Sequence, residues 1–120
     1  GIDRILALTI LYEVGDIRRF ESVQKFASYS RLIKCKAESA GKTYGTQGNK
    51  IGNAHLKWAF SEAAVLYLRG NPGAQKLLQR FQKRMSKAKA LSALAHKLGR
   101  AVYFMLKNEK VFDEQRFLTS

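Results

Sequence analysis

The chain has 120 residues, room for one domain around a single modest core, and its 46% apolar content is ordinary for such a domain. Twenty-two Lys and Arg stand against nine Asp and Glu, a formal charge of +13 that favours a polyanionic partner, nucleic acid first, over a neutral metabolite. The single cysteine, Cys35, cannot close an internal disulfide, and two histidines, His55 and His96, fall short of a structural zinc cluster, which points to a reducing, cytoplasmic setting.

Ile2, Ile5, Leu6, Thr9, Leu11 and Tyr12 approximate a helical period, and Gly15 stands where a helix stops in a left-handed cap, so a first helix is predicted at about residues 3 to 14. Asp3, Arg4, Glu13 and Asp16 break the charge pattern of a secretory signal, and the opening without methionine reads as a piece of a longer protein. Phe20, Val23, Phe26, Ala27 and Ser30 predict a short second helix, with Ser22 available as N-cap and an end near Tyr29.

From Arg31 to Asn53 periodicity fails. Glycines at 41, 45, 48 and 52, with Ser39, Thr43, Thr46, Asn49 and Asn53, predict a long glycine-rich loop, and a loop of that length inside a small domain is functional or disordered. Ala54 to Leu68 is apolar at nearly every position and predicts a central, buried helix, too short and too interrupted by Ser61 and Glu62 to span a membrane. Gly70-Asn71-Pro72-Gly73 ends it.

Leu77, Leu78, Phe81 and Met85 then form an apolar stripe, while Lys76, Arg80, Lys83, Arg84 and Lys87 recur at offsets 0, 4, 7, 8 and 11, predicting one helix with a core face and a cationic face. A last long helix carries Leu91, Leu94, Ala95, Leu98, Ala101, Val102 and Met105 on one side and His96, Lys97 and Arg100 elsewhere. No strand alternation stands out. The expected fold is a single all-α domain over residues 1–120, of about five helices and one long loop.

Charge is unevenly spread. From Ala63 to Asn108 there are ten Lys or Arg and no Asp or Glu, so little local pairing can neutralise the cations. If about six to eight of these side chains meet phosphates, log affinity for duplex DNA falls with log salt at a slope of roughly −5 to −7. Such contacts position a protein without reading sequence.

Carboxylates are few. Glu13 and Asp16, beside Arg18 and Arg19, read as local charge balance, and the adjacent acidic pair downstream is the terminal Asp113 and Glu114, so this chain alone lacks the converging acids of a two-metal nuclease. Both histidines read as structural, and Cys35, between Lys34 and Lys36, has no identifiable base. Ser39, in Glu38-Ser39-Ala40-Gly41-Lys42, has small neighbours that permit close backbone approach, and Lys36, Lys42 and Lys50 stand near in sequence to offset phosphate charge. The residues alone leave open whether Ser39 attacks a phosphodiester or merely forms a turn.

Gly1-Ile2, EVGDIRRF at residues 13 to 20, Tyr29 with Leu32, SAGK at 39 to 42, and Lys50-Ile51-Gly52-Asn53 followed by Leu56-Lys57 together resemble the C-terminal transposase domain of the insertion sequence 110 family, relatives of the pilin gene inverting recombinase. The resemblance covers about residues 1 to 69. It implies a transposase or site-specific recombinase of two parts, in which an upstream ribonuclease-H-like domain with an Asp-Glu-Asp-Asp site supplies a divalent metal such as magnesium; no cofactor is expected in this chain. It further implies that Gly1 begins within a helix-hairpin-helix, that Ser39 is the nucleophile forming a phosphoserine link to DNA, that a guide RNA is a second ligand, and that the complete protein is a homo-oligomer near the nucleoid. Asp3, Arg31, Lys34, Ala40 and Lys57 depart from the family pattern, and Lys57 in place of arginine keeps the charge but loses the planar fork suited to phosphate.

The expected site is therefore Ser39 as nucleophile, with Lys36, Lys42, Lys50, Lys57, Lys76, Arg80, Lys83, Arg84, Lys87, Lys97 and Arg100 on DNA or RNA. The alternatives are a non-catalytic platform for nucleic acid and, from another class, a helical module for an acidic protein.

Overall fold

The computed structural model describes residues 4–33 and 52–120. Within them, helices begin where the sequence offers a side chain to the free N–H groups of a first turn. Ser22 accepts from Lys25 N ahead of α2 (Val23–Tyr29), Asn53 from Leu56 N ahead of α3 (Ala54–Leu68), and Asn71 from Ala74 N ahead of α4 (Pro72–Gln82). Ser86 does the same for α5 (Lys87–Asn108) and Asp113 for a short α6 (Glu114–Thr119). The first helix, α1 (Arg4–Val14), ends at Gly15, whose φ of +64° is the left-handed stop expected from the sequence. A single 3-10 turn, Ile17–Arg19, follows.

The described residues form no strand, so the all-α expectation holds. Four details differ from it. The run Lys76 to Lys87 is two elements: α4 stops at Gln82, Lys83 to Met85 make a turn, and the Ser86 hydroxyl starts α5 at Lys87. The cationic offsets were helical, but the Ser86 cap outweighs that periodicity. In α1 the buried stripe is Leu6, Ile10 and Val14, leaving Ile5, Leu11 and Tyr12 exposed, because i, i+4, i+8 tracks one face more closely than the looser set. α3 buries one face only: Trp58 is 49% and Val65 43% exposed. The sixth helix, α6, carries too few apolar residues to show a period.

α3 and α5 pack together at the centre; α1 lies on α3, and α2 and α4 on α5. Phe26 of α2 is fully buried and sits among Phe20, Phe60 and Tyr103 with ring centroids 5.2, 6.1 and 5.6 Å away. Each such buried ring contributes roughly 1.5–3 kcal/mol from apolar burial. Gly99 of α5 lets Leu32 approach close, in space that a side chain there would fill. α6 is fastened by polar contacts: Tyr67 Oη and Asn71 Nδ2 donate to Glu114 Oε2 at 2.8 and 3.2 Å. No described helix is long and apolar enough to cross a membrane.

Candidate functional site

The EVGDIRRF residues make a tight corner. Asp16 caps the 3-10 turn by accepting from Arg18 N, and the Arg18 guanidinium returns to it at 3.0 and 3.1 Å, holding the Asp16 carboxyl below the usual carboxylate range. Arg19 turns the other way. It donates to the Glu13 carbonyl at 3.2 Å and lies over the Phe20 and Tyr29 rings at 4.7 and 4.9 Å.

Asn53 joins this corner to the start of α3. Its Oδ1 caps the helix, its Nδ2 donates to Glu13 Oε1 at 2.7 Å and to Tyr29 Oη at 3.4 Å, and its backbone N–H donates to the Tyr29 carbonyl at 2.6 Å. The Asn53 amide, with the Arg19 guanidinium beside it, draws the Tyr29 hydroxyl below the ordinary tyrosine range by favouring the phenolate. Gly52, at φ +109°, is what allows the approach: a Cβ there would stand 2.9 Å from the Tyr29 carbonyl and 2.7 Å from Arg31 Cγ. Lys57 Nζ closes the same junction on the Arg31 carbonyl at 3.3 Å. Arg31 itself adopts φ +59°, a left-handed conformation that favours glycine.

The two described flanks of residues 34–51 thus meet through Tyr29 and Arg31 on one side and Gly52, Asn53 and Lys57 on the other. Ser39, Lys36, Lys42, Lys50 and Cys35 lie outside the described residues, as do Gly1 to Asp3 of the expected hairpin. Glu13 does not balance local charge as the sequence implied; it accepts from Asn53, while Asp16 takes Arg18. Sequence reasoning quoted Arg19, Tyr29 and Asn53 as parts of motifs without assigning their contacts, and gave Glu13 local charge balance only. Their contacts span up to 40 residues of sequence, beyond the reach of local spacing.

The remaining expected cations divide into two groups. Lys76, Lys83, Arg84 and Lys87 are exposed, and none has a carboxylate partner among the described residues, whose ion pairs are Arg18–Asp16 and Lys25–Glu21. Arg80 and Lys97 instead hold the end of α6: Arg80 Nη2 donates to the Leu118 carbonyl at 3.1 Å, and Lys97 Nζ to the Ser120 carbonyl at 3.1 Å and Oγ at 2.9 Å. Partial burial, then repulsion from Arg80 and Arg100, pushes the Lys97 ammonium below the usual lysine range. Arg100 is exposed and lies over Phe104 at 5.9 Å. His96 is half-buried and pushed down by that burial and by Arg100, whereas His55 is exposed on the first turn of α3.

The described residues bring no three His, Cys, Asp or Glu side chains together as a metal-binding group. A family model described as the IS116/IS110/IS902 family of transposases matches residues 1–79. That range contains the whole Glu13, Arg19, Tyr29, Asn53 and Lys57 arrangement. No curated protein and no solved structure matches the chain.

Proposed function

Because this chain belongs to the IS116/IS110/IS902 transposase family, we propose that it acts in insertion-sequence transposition as the domain that holds DNA and supplies Ser39 as nucleophile. The observation that carries this reading is the junction of Glu13, Tyr29, Gly52 and Asn53, which unites several of the motifs through which the chain resembles its family and brings together the described residues that flank the Ser39 segment in sequence. Asn53 and Gly52 work as positioning residues there. They hold the two described flanks of residues 34–51 against each other, with Lys57 adding a cation at the same place.

In the proposed step the Ser39 oxygen attacks a DNA phosphorus; the serine O–P bond forms, the bond from phosphorus to one sugar oxygen breaks, and that oxygen takes up a proton as the serine hydroxyl loses one. The phosphodiester energy is kept in the covalent link, so a hydroxyl of a second strand can reverse the step onto new DNA without a nucleotide cofactor. Lys36, Lys42 and Lys50 offset charge on the phosphoryl oxygens. Lys76, Lys83, Arg84 and Lys87 hold the flanking backbone, aided by the wider field of Arg80, Lys97 and Arg100. The magnesium expected from the family resemblance belongs, in this reading, to an upstream domain. Guide RNA and self-association belong to the same reading of the complete transposase.

The test compares two variants of the complete transposase: Ser39→Ala, and a triple charge reversal at Lys83, Arg84 and Lys87, chosen because those three side chains make no ion pair with another described residue. Ser39→Ala is expected to bind DNA and join no strands, and the triple variant to lose both. Strand joining by Ser39→Ala overturns the nucleophile and leaves a binding platform.

A further inference from the structure

α5 ends at Glu109, whose φ of +53° turns the chain back so that residues 110–113 run beside the helix toward α6. Between them lies a groove of about 1010 Å³, lined by Lys97, Arg100, Phe104, Lys110, Phe112 and Arg116 among others. Phe104 is 43% and Phe112 36% exposed. Neither ring hangs loose: Phe104 stands edge-on to Tyr103 at 5.1 Å, and Phe112 packs on Phe117 at 5.3 Å and Tyr67 at 6.3 Å. The groove falls wholly outside the 1–79 range of the family match.

Two carboxylates line this groove, and both are engaged by the protein. Asp113 caps α6 by accepting from Arg116 N at 3.1 Å, and Glu114 accepts from Tyr67 and Asn71. Among the described residues no carboxylate lies within ion-pair reach of Arg100, Lys110 or Arg116. Fixed, half-exposed aromatic rings beside cations without a carboxylate partner, of which Arg100 lies over Phe104 at 5.9 Å and shares that ring with a stacked base, suit a strand whose base faces are open, because the rings offer stacking and the cations meet the phosphates. Duplex DNA hides its base faces and gains only the charge term.

We propose that this groove binds single-stranded nucleic acid, with bases stacked on Phe104 and Phe112 and phosphates on Arg100, Lys110 and Arg116. The inference rests on the DNA-handling reading above and adds to it the unpaired state of the strand. It assigns a role to the part of the chain beyond the family match.

The experiment measures, by fluorescence anisotropy, binding of this chain to an oligothymidine of about ten nucleotides, to the oligouridine of the same length, and to a duplex. Phe104→Ala is expected to weaken binding of the single strand about tenfold while leaving the duplex unchanged, and Phe104→Tyr to restore it. Phe104→Trp adds a direct reporter whose emission is quenched by the bound strand. The tighter of the two single strands identifies DNA or RNA as the ligand. Duplex binding with no single-strand binding, an equal effect of Phe104→Ala on both, or equal displacement by polyglutamate overturns the groove and spares the DNA reading. Phe104-dependent binding of the single strand without duplex binding supports the groove and removes the duplex role of α4 and α5. Binding to neither removes both.

Discussion

Asn53 Nδ2 reaches Glu13 Oε1 at 2.7 Å across 40 residues of sequence. The contact ties the end of α1 to the start of α3 while the same Asn53 side chain caps α3 through its other atom. One amide therefore serves two helices and a tyrosine, and no other residue type offers both the acceptor and the two donors in that geometry.

Replacing Asn53 by Ala removes the cap and the hydrogen bond to the Glu13 carboxylate together, an expected loss of about 2–4 kcal/mol in chemical denaturation. Asn53→Asp keeps the acceptor for Leu56 N but sets a carboxylate against Glu13. Its stability is expected to be no better than that of Ala at neutral pH and to recover partly in acid. Equal stability of wild type and Asn53→Ala would remove the junction's structural importance.

Gly52→Ala is expected to cost about 3 kcal/mol, since it combines a φ that only glycine adopts easily with a clash against the Tyr29 carbonyl. The Arg31 side chain can swing aside; the carbonyl cannot. Denaturation midpoints of Gly52→Ala and of Gly15→Ala separate the two effects, because nothing lies within 4 Å of a Cβ at Gly15 and only the backbone strain applies there.

His96 gives a pH dependence with a definite sign. Burial and Arg100 hold its folded ionisation below the ordinary 6.5, so the unfolded chain takes the proton first. Stability from this group is present above pH 6.5 and is lost as pH falls through the lower folded value. Denaturation midpoints measured between neutral and mildly acid pH are expected to fall, and His96→Gln to flatten that part of the curve. An unchanged slope in His96→Gln would assign the acid sensitivity to other groups.

Converting Lys83, Arg84 and Lys87 to Gln is expected to weaken duplex binding and to make the slope of log affinity against log salt shallower by about 3 if each meets one phosphate. The fold should be untouched, as all three are exposed and their side chains make no hydrogen bond to another described residue. Arg80→Gln is the contrasting variant. It releases the Leu118 carbonyl and is expected to loosen α6, read as faster amide exchange there.

Helix positions were legible in the sequence because caps and stops are local chemistry: Gly15, Ser22 and Asn71-Pro72 mark their boundaries directly. The break at Ser86 was not, since the cationic spacing continued through it at helical intervals and a lone serine between Met85 and Lys87 gives a weak signal. The buried face of α1 was not legible because Leu and Ile occur on both of its sides, and only packing on α3 chooses between them. Much of the candidate site was legible as motifs without mechanism. Glu13, Tyr29, Gly52 and Asn53 stood among the residues of the resemblance, but their mutual contacts are long-range, and Gly52 earns its place through the Tyr29 carbonyl rather than through any neighbour in sequence.

The most direct measurement is mass spectrometry of the covalent adduct formed when the complete transposase meets a DNA substrate nicked so that joining cannot reverse. The nucleotide mass is expected on the peptide containing Ser39, absent in Ser39→Ala and reduced in Asn53→Ala. An adduct on any other side chain, or one that survives Ser39→Ala, contradicts the role of Ser39 as nucleophile.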